Sequence, residues 1–494
     1  MATSINAREA DVQSAFDKAR AIARGEPTAS LDQVETTLWT ALLALGRTLI
    51  ALYLARVAAR PRATEYAHDG AKYIVVGSAT SEIGTRFGKV SFERAVGRRV
   101  GWRRTTCDRP VDRALGLGSG FSLSTMMSIT RLCAQLAFAN ARATFAQFCE
   151  WEPCQRTVLR MVDAVGGQAR KFLEDAPAPE GDGDILVIQV DGGGAPHMDQ
   201  TELQRRRRPH VKRPGTKRHG RRHRRRSRER PRRAKGDKSK NAKVAFIGVI
   251  YTLKTMPDGS CEGPINKRLS ATFESHAALF EWLSRDAIKR GYGHKRTLFL
   301  ADGADAIWDL QAKHFPEAET CIDWFHIVEK LWVAGRCLHP EGSEPLAAWI
   351  RERVRDLRRP SGAGKVVTTL AEALARIPKT GPGNKAKREK LLEVLQHLSK
   401  HVHHMRYHEL RRADLDIATG AAEGAVRNLV RMRLDGPGMR WSRGRSEMVL
   451  HLRCILLNGQ WDAFAAHLAQ QPPLRLAATP VATRSHDAAA RKAA

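Results

Sequence analysis

The stretch Ile185-Leu186-Val187-Ile188-Gln189-Val190-Asp191-Gly192-Gly193-Gly194 decides how the rest of the chain is read. Its first six residues run apolar almost without alternation, which predicts a strand covered on both faces. Asp191 ends that run. A second run, Thr297-Leu-Phe-Leu-Ala301, stops in the same way on Asp302. A third acid, Glu423, stands in the helix-like stretch Thr419-Gly-Ala-Ala-Glu-Gly-Ala-Val-Arg-Asn-Leu-Val430. Two carboxylates at strand ends and one on a helix can converge on hard divalent cations. Such cations take oxygen ligands, and a pair ~3.5–4 Å apart can clamp the attacking and leaving oxygens of a phosphoryl transfer.

Working outward, the pattern is α/β. Strands are expected at 185–190, 243–253, 268–274, 296–301 and 319–323, and helices at 275–290, 304–314 and 324–336. Three strands precede the first strong helix, which is the order of a ribonuclease H-like fold, whose first and fourth strands lie side by side. Asp191 and Asp302 would end those two strands. Residues 340–410 interrupt the pattern with helical, Lys/Arg-rich sequence broken at Pro360, Pro378 and Pro382, before the helix that carries Glu423.

Charge supplies the second constraint. The 494 residues hold 83 Lys and Arg against 52 Asp and Glu, a formal +31. Residues 205–235 alone carry 18 basic side chains and one acid, beginning with Arg205, Arg206, Arg207 and Arg208. An anionic polymer is the expected partner. Pro209, Pro214 and Pro231 argue against one continuous helix there, so a disordered loop is expected.

Upstream, Ser30 and Gln33 form a capping box that opens an apolar helix over 30–60; Arg47 and Arg56 argue against a membrane span, and the helix packs within its domain or dimerises. A small hairpin is expected from Lys72–Val76 and Gly88–Phe92. Helical spacing over 121–170, ending on a helix with Arg156 and Arg160, resembles a helix-turn-helix whose last helix enters a major groove. Residues 176–184 read as a linker. The eight cysteines lack C-x-x-C spacing and no signal-peptide pattern opens the chain, so a reducing, cytoplasmic setting is expected without a disulfide framework or zinc site.

At this point the chain resembles the DDE transposases of bacterial insertion sequences, and among them the Kra-type group, distantly related to Mutator-like elements. The motifs are Val190-Asp191-Gly-Gly-Gly, Ala301-Asp302-Gly-Ala-Asp-Ala-Ile-Trp308, Ile322-Asp323-Trp-Phe-His326, Gly420-Ala-Ala-Glu423-Gly-Ala-Val-Arg427 and Arg433-Leu-Asp-Gly-Pro-Gly-Met-Arg-Trp441. The resemblance implies a transposase that binds the terminal inverted repeats of an insertion sequence, cleaves DNA and transfers the strand to target DNA. Asp191, Asp302 and Glu423 would be the catalytic and metal-binding residues for two Mg²⁺, with Mn²⁺ able to substitute. Asp323 and His326 match a secondary motif near the site. It further implies a homodimer or higher oligomer on double-stranded DNA, nucleoid-associated in a bacterial cytoplasm, with no membrane. Two departures stand out. Cysteine pairs that relatives carry ahead of the hairpin are missing around 66–110, and the arginine tract is more extreme than the family pattern.

The domain layout that follows is an N-terminal helical region 1–65, a hairpin region and connector 66–120 and a helix-turn-helix-like DNA-binding region 121–175. The ribonuclease H-like core begins at 185–337 with its Arg-rich loop 204–240, and is followed by a helical insertion 338–412, C-terminal core helices 413–470 and a disordered tail 471–494. Other reactions fit the same residues: a ribonuclease H-like nuclease or resolvase without strand transfer, or a noncatalytic DNA-binding descendant. Arg427, one turn past Glu423, and Arg440 are candidate phosphate or DNA contacts, and Trp441 could stack on an unpaired base. Asp305 is a weaker fourth ligand candidate. Glycines 192–194 lack the Lys-Ser/Thr of a P-loop and are read instead as allowing close approach of backbone and DNA. His401, His404 and His408 share one face if helical; a solvated or DNA-facing helix is expected there rather than zinc.

Overall fold

A computed structural model describes residues 2–25, 29–60, 63–101, 107–198, 242–437 and 439–476. These divide into two compact units, one formed by the residues up to Ala169 with those from Gln460 onward, the other by Arg170–Gly459.

In the first unit, helices α1 (Ala2–Ala23) and α2 (Leu31–Ala59) pack on one another, and α2 starts at the expected capping box, Ser30 Oγ accepting from the Gln33 amide while the Gln33 side chain accepts from the Ser30 amide. By length and apolarity α2 could cross a membrane despite Arg47 and Arg56. Its Ala51, Leu54 and Val57 are instead buried against Ile83, Val90 and Phe92. Those three belong to a sheet larger than the expected hairpin: β1 (Glu65–His68), β2 (Ala71–Thr85), β3 (Gly88–Arg99) and β4 (Cys107–Asp108), all antiparallel. The polar segment 78–85 gives no strand signal of its own and is held by pairing with the amphipathic β3. After α3 (Pro110–Ala114) come α4 (Leu123–Gln135), α5 (Phe138–Cys149) and α6 (Gln155–Asp175). The last helix, α16 (Trp461–Gln470), packs on α4. It therefore belongs with the N-terminal elements and not with the core helices expected for 413–470.

The second unit is built on a five-stranded sheet: β5 (Ile185–Pro196), β6 (Ala242–Thr255), β7 (Cys261–Thr272), β8 (Arg296–Ala301) and β9 (Glu319–Ile322), in the order β7-β6-β5-β8-β9. The first three strands are antiparallel neighbours; β8 and β9 run parallel to β5. Parallel strands need crossovers, supplied here by α7 (His276–Lys289) before β8 and α8 (Asp305–His314) before β9. Continuous burial of Ile185–Val190 follows from cover on both faces. The strand does not stop at Asp191: Gly192, Gly193 and Gly194 stay in register with Phe246, Ala245 and Val244, so they form no phosphate loop. Gly193 is needed for space, because a Cβ there would sit 2.9 Å from Val426 Cγ1.

After α9 (Trp324–Leu338), the insertion holds α10 (Glu344–Leu357), α11 (Gly362–Arg376), α12 (Asn384–Lys400) and α13 (Tyr407–Arg412). Then come α14 (Gly420–Val426), which runs into a π turn at Arg427–Arg431, and α15 (Arg443–Leu457). The expected linker 176–184 is no free tether. Asp182 is ion-paired to Arg290, the Pro177 carbonyl accepts from Arg268, and the unit boundary runs through α6 instead. The arginine tract, including Arg205–Arg208, lies outside the described residues.

Candidate carboxylate site

Strand register brings the first two acids together. Val190 on β5 pairs with Ala301 on β8 in parallel, so Asp191 and Asp302 are each one step beyond a matched pair. Side chains at i and i±2 share a face of a strand, so Asp191 shares its face with Gln189 and Gly193. Both of these meet α14 or its π turn: Gln189 Oε1 accepts from the Ala422 amide at 3.0 Å, and Gly193 lies under Val426 and Val430. Glu423 is the residue after Ala422 and is exposed. The three acids thus gather near the carboxyl end of β8, beside the central strand β5 and under α14.

Electrostatics agree with that geometry. Burial pushes the Asp191 carboxyl up to about 6, and the negative charges of Asp302, Glu423 and Asp323 add to the rise, against a backbone hydrogen bond from Gly192 that lowers it. Among the described residues no basic side chain pairs with Asp191, Asp302 or Glu423, so the site carries uncompensated negative charge. Such a donor set, all carboxylate oxygen, suits a hard divalent cation. Among the described residues no three His, Cys, Asp or Glu side chains stand close enough to share one ion, so the acids are gathered but not drawn tight. Asp191 Oδ1 accepts from the Gly192 amide at 2.6 Å and Asp302 Oδ1 from the Ala304 amide at 3.1 Å, which fixes both near their strands.

The secondary motif has a supporting position. Asp323 is buried; one oxygen caps α9 by accepting from the His326 amide at 2.7 Å, and the other accepts from the Thr419 amide and hydroxyl at 2.7 and 3.0 Å. Its own amide donates to the Ala301 carbonyl. Asp323 therefore joins the end of β8, next to Asp302, to the start of α14, which carries Glu423. With both oxygens engaged, it braces these elements against one another. His326 is half-buried, and its Nε2 meets Nε2 of His397, from α12, at 3.2 Å.

Several expected contacts fall elsewhere. Trp441 is 4 % exposed, its indole N–H donates to the Leu434 carbonyl and Arg433 lies over its ring, so it offers no face to an unpaired base. Its backbone pairs with the end of β5 at Pro196 and Met198. Asp305 is exposed and pairs with Lys400 at 2.7 Å. Arg427 and Arg440 are exposed. In the first unit Arg156 is exposed, but Arg160 is half-buried and donates to the Leu476 carbonyl, which turns it inward from any groove. His401, His404 and His408 do not share a helix: α12 ends at Lys400 and a 3-10 turn follows. His401 and His404 are buried, and His404 stacks on Trp308 and bonds Thr320 Oγ1. They are core residues, neither solvated nor DNA-facing.

Sequence reasoning passed over Gln189, Thr419 and His397. Gln189 had a signal: it is the one polar residue inside the apolar run and lies two before Asp191, the spacing of a same-face neighbour.

Comparison with known proteins adds little weight. No protein-family model and no curated protein matches the chain. The backbone is similar to that of the Drosophila P element transposase strand transfer complex, at 8% identity and a TM-score of 0.31, over 69% of this chain and 93% of that chain.

Proposed function

We propose that the chain is a DNA transposase with a ribonuclease H-like core, which cuts at the ends of its element and joins the freed 3′-hydroxyl to target DNA. The observation that carries this reading is the Val190–Ala301 register, with Gln189 holding α14 above it, because it gathers three acids far apart in sequence beside the two interior strands β5 and β8. The strand order β7-β6-β5-β8-β9, with the antiparallel meander first, supports the core assignment. The formal +31 supports a polyanionic partner.

Asp191, Asp302 and Glu423 would hold Mg²⁺, or Mn²⁺ in its place. Bound divalent cations supply charge neutralisation at the attacking and leaving oxygens, so no covalent enzyme intermediate is required. Asp191 is held by the backbone of β5, and Asp302 follows the end of β8 with its Oδ1 accepting from the Ala304 amide. Glu423 is carried on a helix that Asp323 and Gln189 brace. Arg427, exposed one turn beyond Glu423, is positioned to hold a phosphate, and Arg156 in the first unit is the best remaining base contact. The protein acts as a homodimer or higher oligomer on DNA in this reading.

Incubating the purified chain with a labelled element end and Mg²⁺, then mapping nicks and joined products, tests it. Nicking with strand joining supports the transposase. Nicking without joining would reduce it to a nuclease, and no metal-dependent nicking would leave a DNA-binding protein.

A further inference from the structure

The helical insertion grips the loop that carries Asp302. Gly303 follows Asp302, and a Cβ built on it would sit 2.5 Å from His397 Nε2 and 3.0 Å from His326 Nε2. Real Cβ atoms do not approach that closely, so an imidazole from α12 occupies the space a side chain at 303 would need. Gly303 is not in the left-handed region, so space and not conformation bars alanine there. The two rings meet at 3.2 Å, one nitrogen donating and the other accepting. One turn on, Lys400 bonds Asp305 at 2.7 Å and His401 Nε2 lies 3.6 Å from the same carboxylate. The Lys400 pair is exposed on both sides and holds little by itself. The contact at Gly303 is the closer one: a methyl there requires the His397 ring or the 302–305 loop to move.

We propose that His397 is a positioning residue: the insertion, through this imidazole packed against both Gly303 and His326, sets where Asp302 stands relative to Asp191 and Glu423. This rests on the proposed function, in which the carboxylate site holds a divalent ion. His397 itself touches neither DNA nor metal in the proposal. A displacement of the 302–305 loop of a fraction of an ångström would then weaken ion binding, since ligand geometry and not ligand identity has changed.

A two-residue cycle in the full-length chain tests the proposal, using Gly303→Ala, His397→Ala and the double variant. Two readouts apply: the Mn²⁺-induced rise in the thermal midpoint without DNA, and the Mn²⁺ concentration for half-maximal cleavage. Gly303→Ala is expected to raise the Mn²⁺ requirement on the order of ten- to a hundredfold. His397→Ala should raise it a few-fold, and the double variant should match His397→Ala, because removing the ring takes away the two closest contacts of the new methyl and leaves only His326 Nε2, at 3.0 Å, to shift by a few tenths of an ångström. A Gly303→Ala chain with normal Mn²⁺ response overturns the proposal. So does a double variant as impaired as the two single effects combined, which would mean that Gly303 acts on Asp302 without His397. Should Gly303→Ala fail to fold, restoration of folding and Mn²⁺ response in the double variant supports the proposal, and continued failure overturns it. Asp302→Ala is the control on the underlying reading: an unchanged Mn²⁺ shift in that variant would sink the ion site itself, whereas its loss alongside a normal Gly303→Ala would sink only the His397 proposal.

Discussion

Asp323 Oδ1 accepts hydrogen bonds from both the amide and the hydroxyl of Thr419, 2.7 and 3.0 Å away, across 96 residues of chain. A buried carboxylate that satisfies three donors is costly to remove, because each donor is then left unsatisfied inside the protein. Asp323→Ala is expected to destabilise the second unit by about 3 kcal/mol in a denaturant titration. Cleavage should fall with it. Asp323→Asn should fare only partly better, since its NH₂ faces a donor on one side. A variant of full stability would show that the brace is not needed.

If the proposed function holds, replacing Asp191, Asp302 or Glu423 by alanine should each reduce metal-dependent cleavage by on the order of a thousandfold, while DNA binding is retained, because several kcal/mol of transition-state stabilisation would then depend on ions held by these carboxylates. Retention of substantial cleavage in any of the three would remove that residue from the assignment.

Asp191 also makes a prediction in the absence of metal. Its folded carboxyl titrates at about 6 against an ordinary 3.8. The native state thus binds the proton more tightly than the unfolded chain, and metal-free stability falls as pH rises from about 4 through about 6. In EDTA, Asp191→Asn should leave the thermal midpoint unchanged near pH 4. At pH 8 it should be stabilising, by about 1–3 kcal/mol. Destabilisation at pH 8 would mean that the charge has a partner.

Arg156 and Arg160, one turn apart on α6, should behave differently. Arg156→Ala should cost about 1–3 kcal/mol of end-specific binding, if it reads guanine, at unchanged stability. Arg160→Ala should lower the melting temperature instead, because its guanidinium holds the Leu476 carbonyl. Equal footprints for wild type and Arg156→Ala would move base reading elsewhere.

Deleting residues 205–235 should weaken binding of every DNA sequence alike and flatten the salt dependence, by about 0.9 in log–log slope for each phosphate that the tract no longer neutralises. Selective loss of end binding would instead make the tract a sequence reader.

The sheet of the second unit was legible because buried parallel strands leave long apolar runs, and those at Ile185–Val190 and Thr297–Ala301 give the strands and their acids directly. That β5 continues through three glycines was not legible: glycine reads as a turn, and only pairing with Val244–Phe246 keeps it extended. Trp441 and the histidines at 401 and 404 looked like surface contacts because aromatic and imidazole groups serve both roles. Burial decides between them, and burial here depends on partners such as Arg433 and Trp308 that no local pattern announces. His397 was invisible for the same reason, being one ring on an otherwise Lys-rich helix.

Because α16 packs with α4 while all of Arg170–Gly459 lies between them in sequence, the first unit is assembled from both ends of the described chain. During synthesis at ~5–20 residues per second, the N-terminal helices and sheet must wait tens of seconds for the segment that completes them, while the sheet of the second unit can already close. A chain ending early, just past Gly459, would therefore keep its carboxylate site and lose the integrity of the unit that carries Arg156.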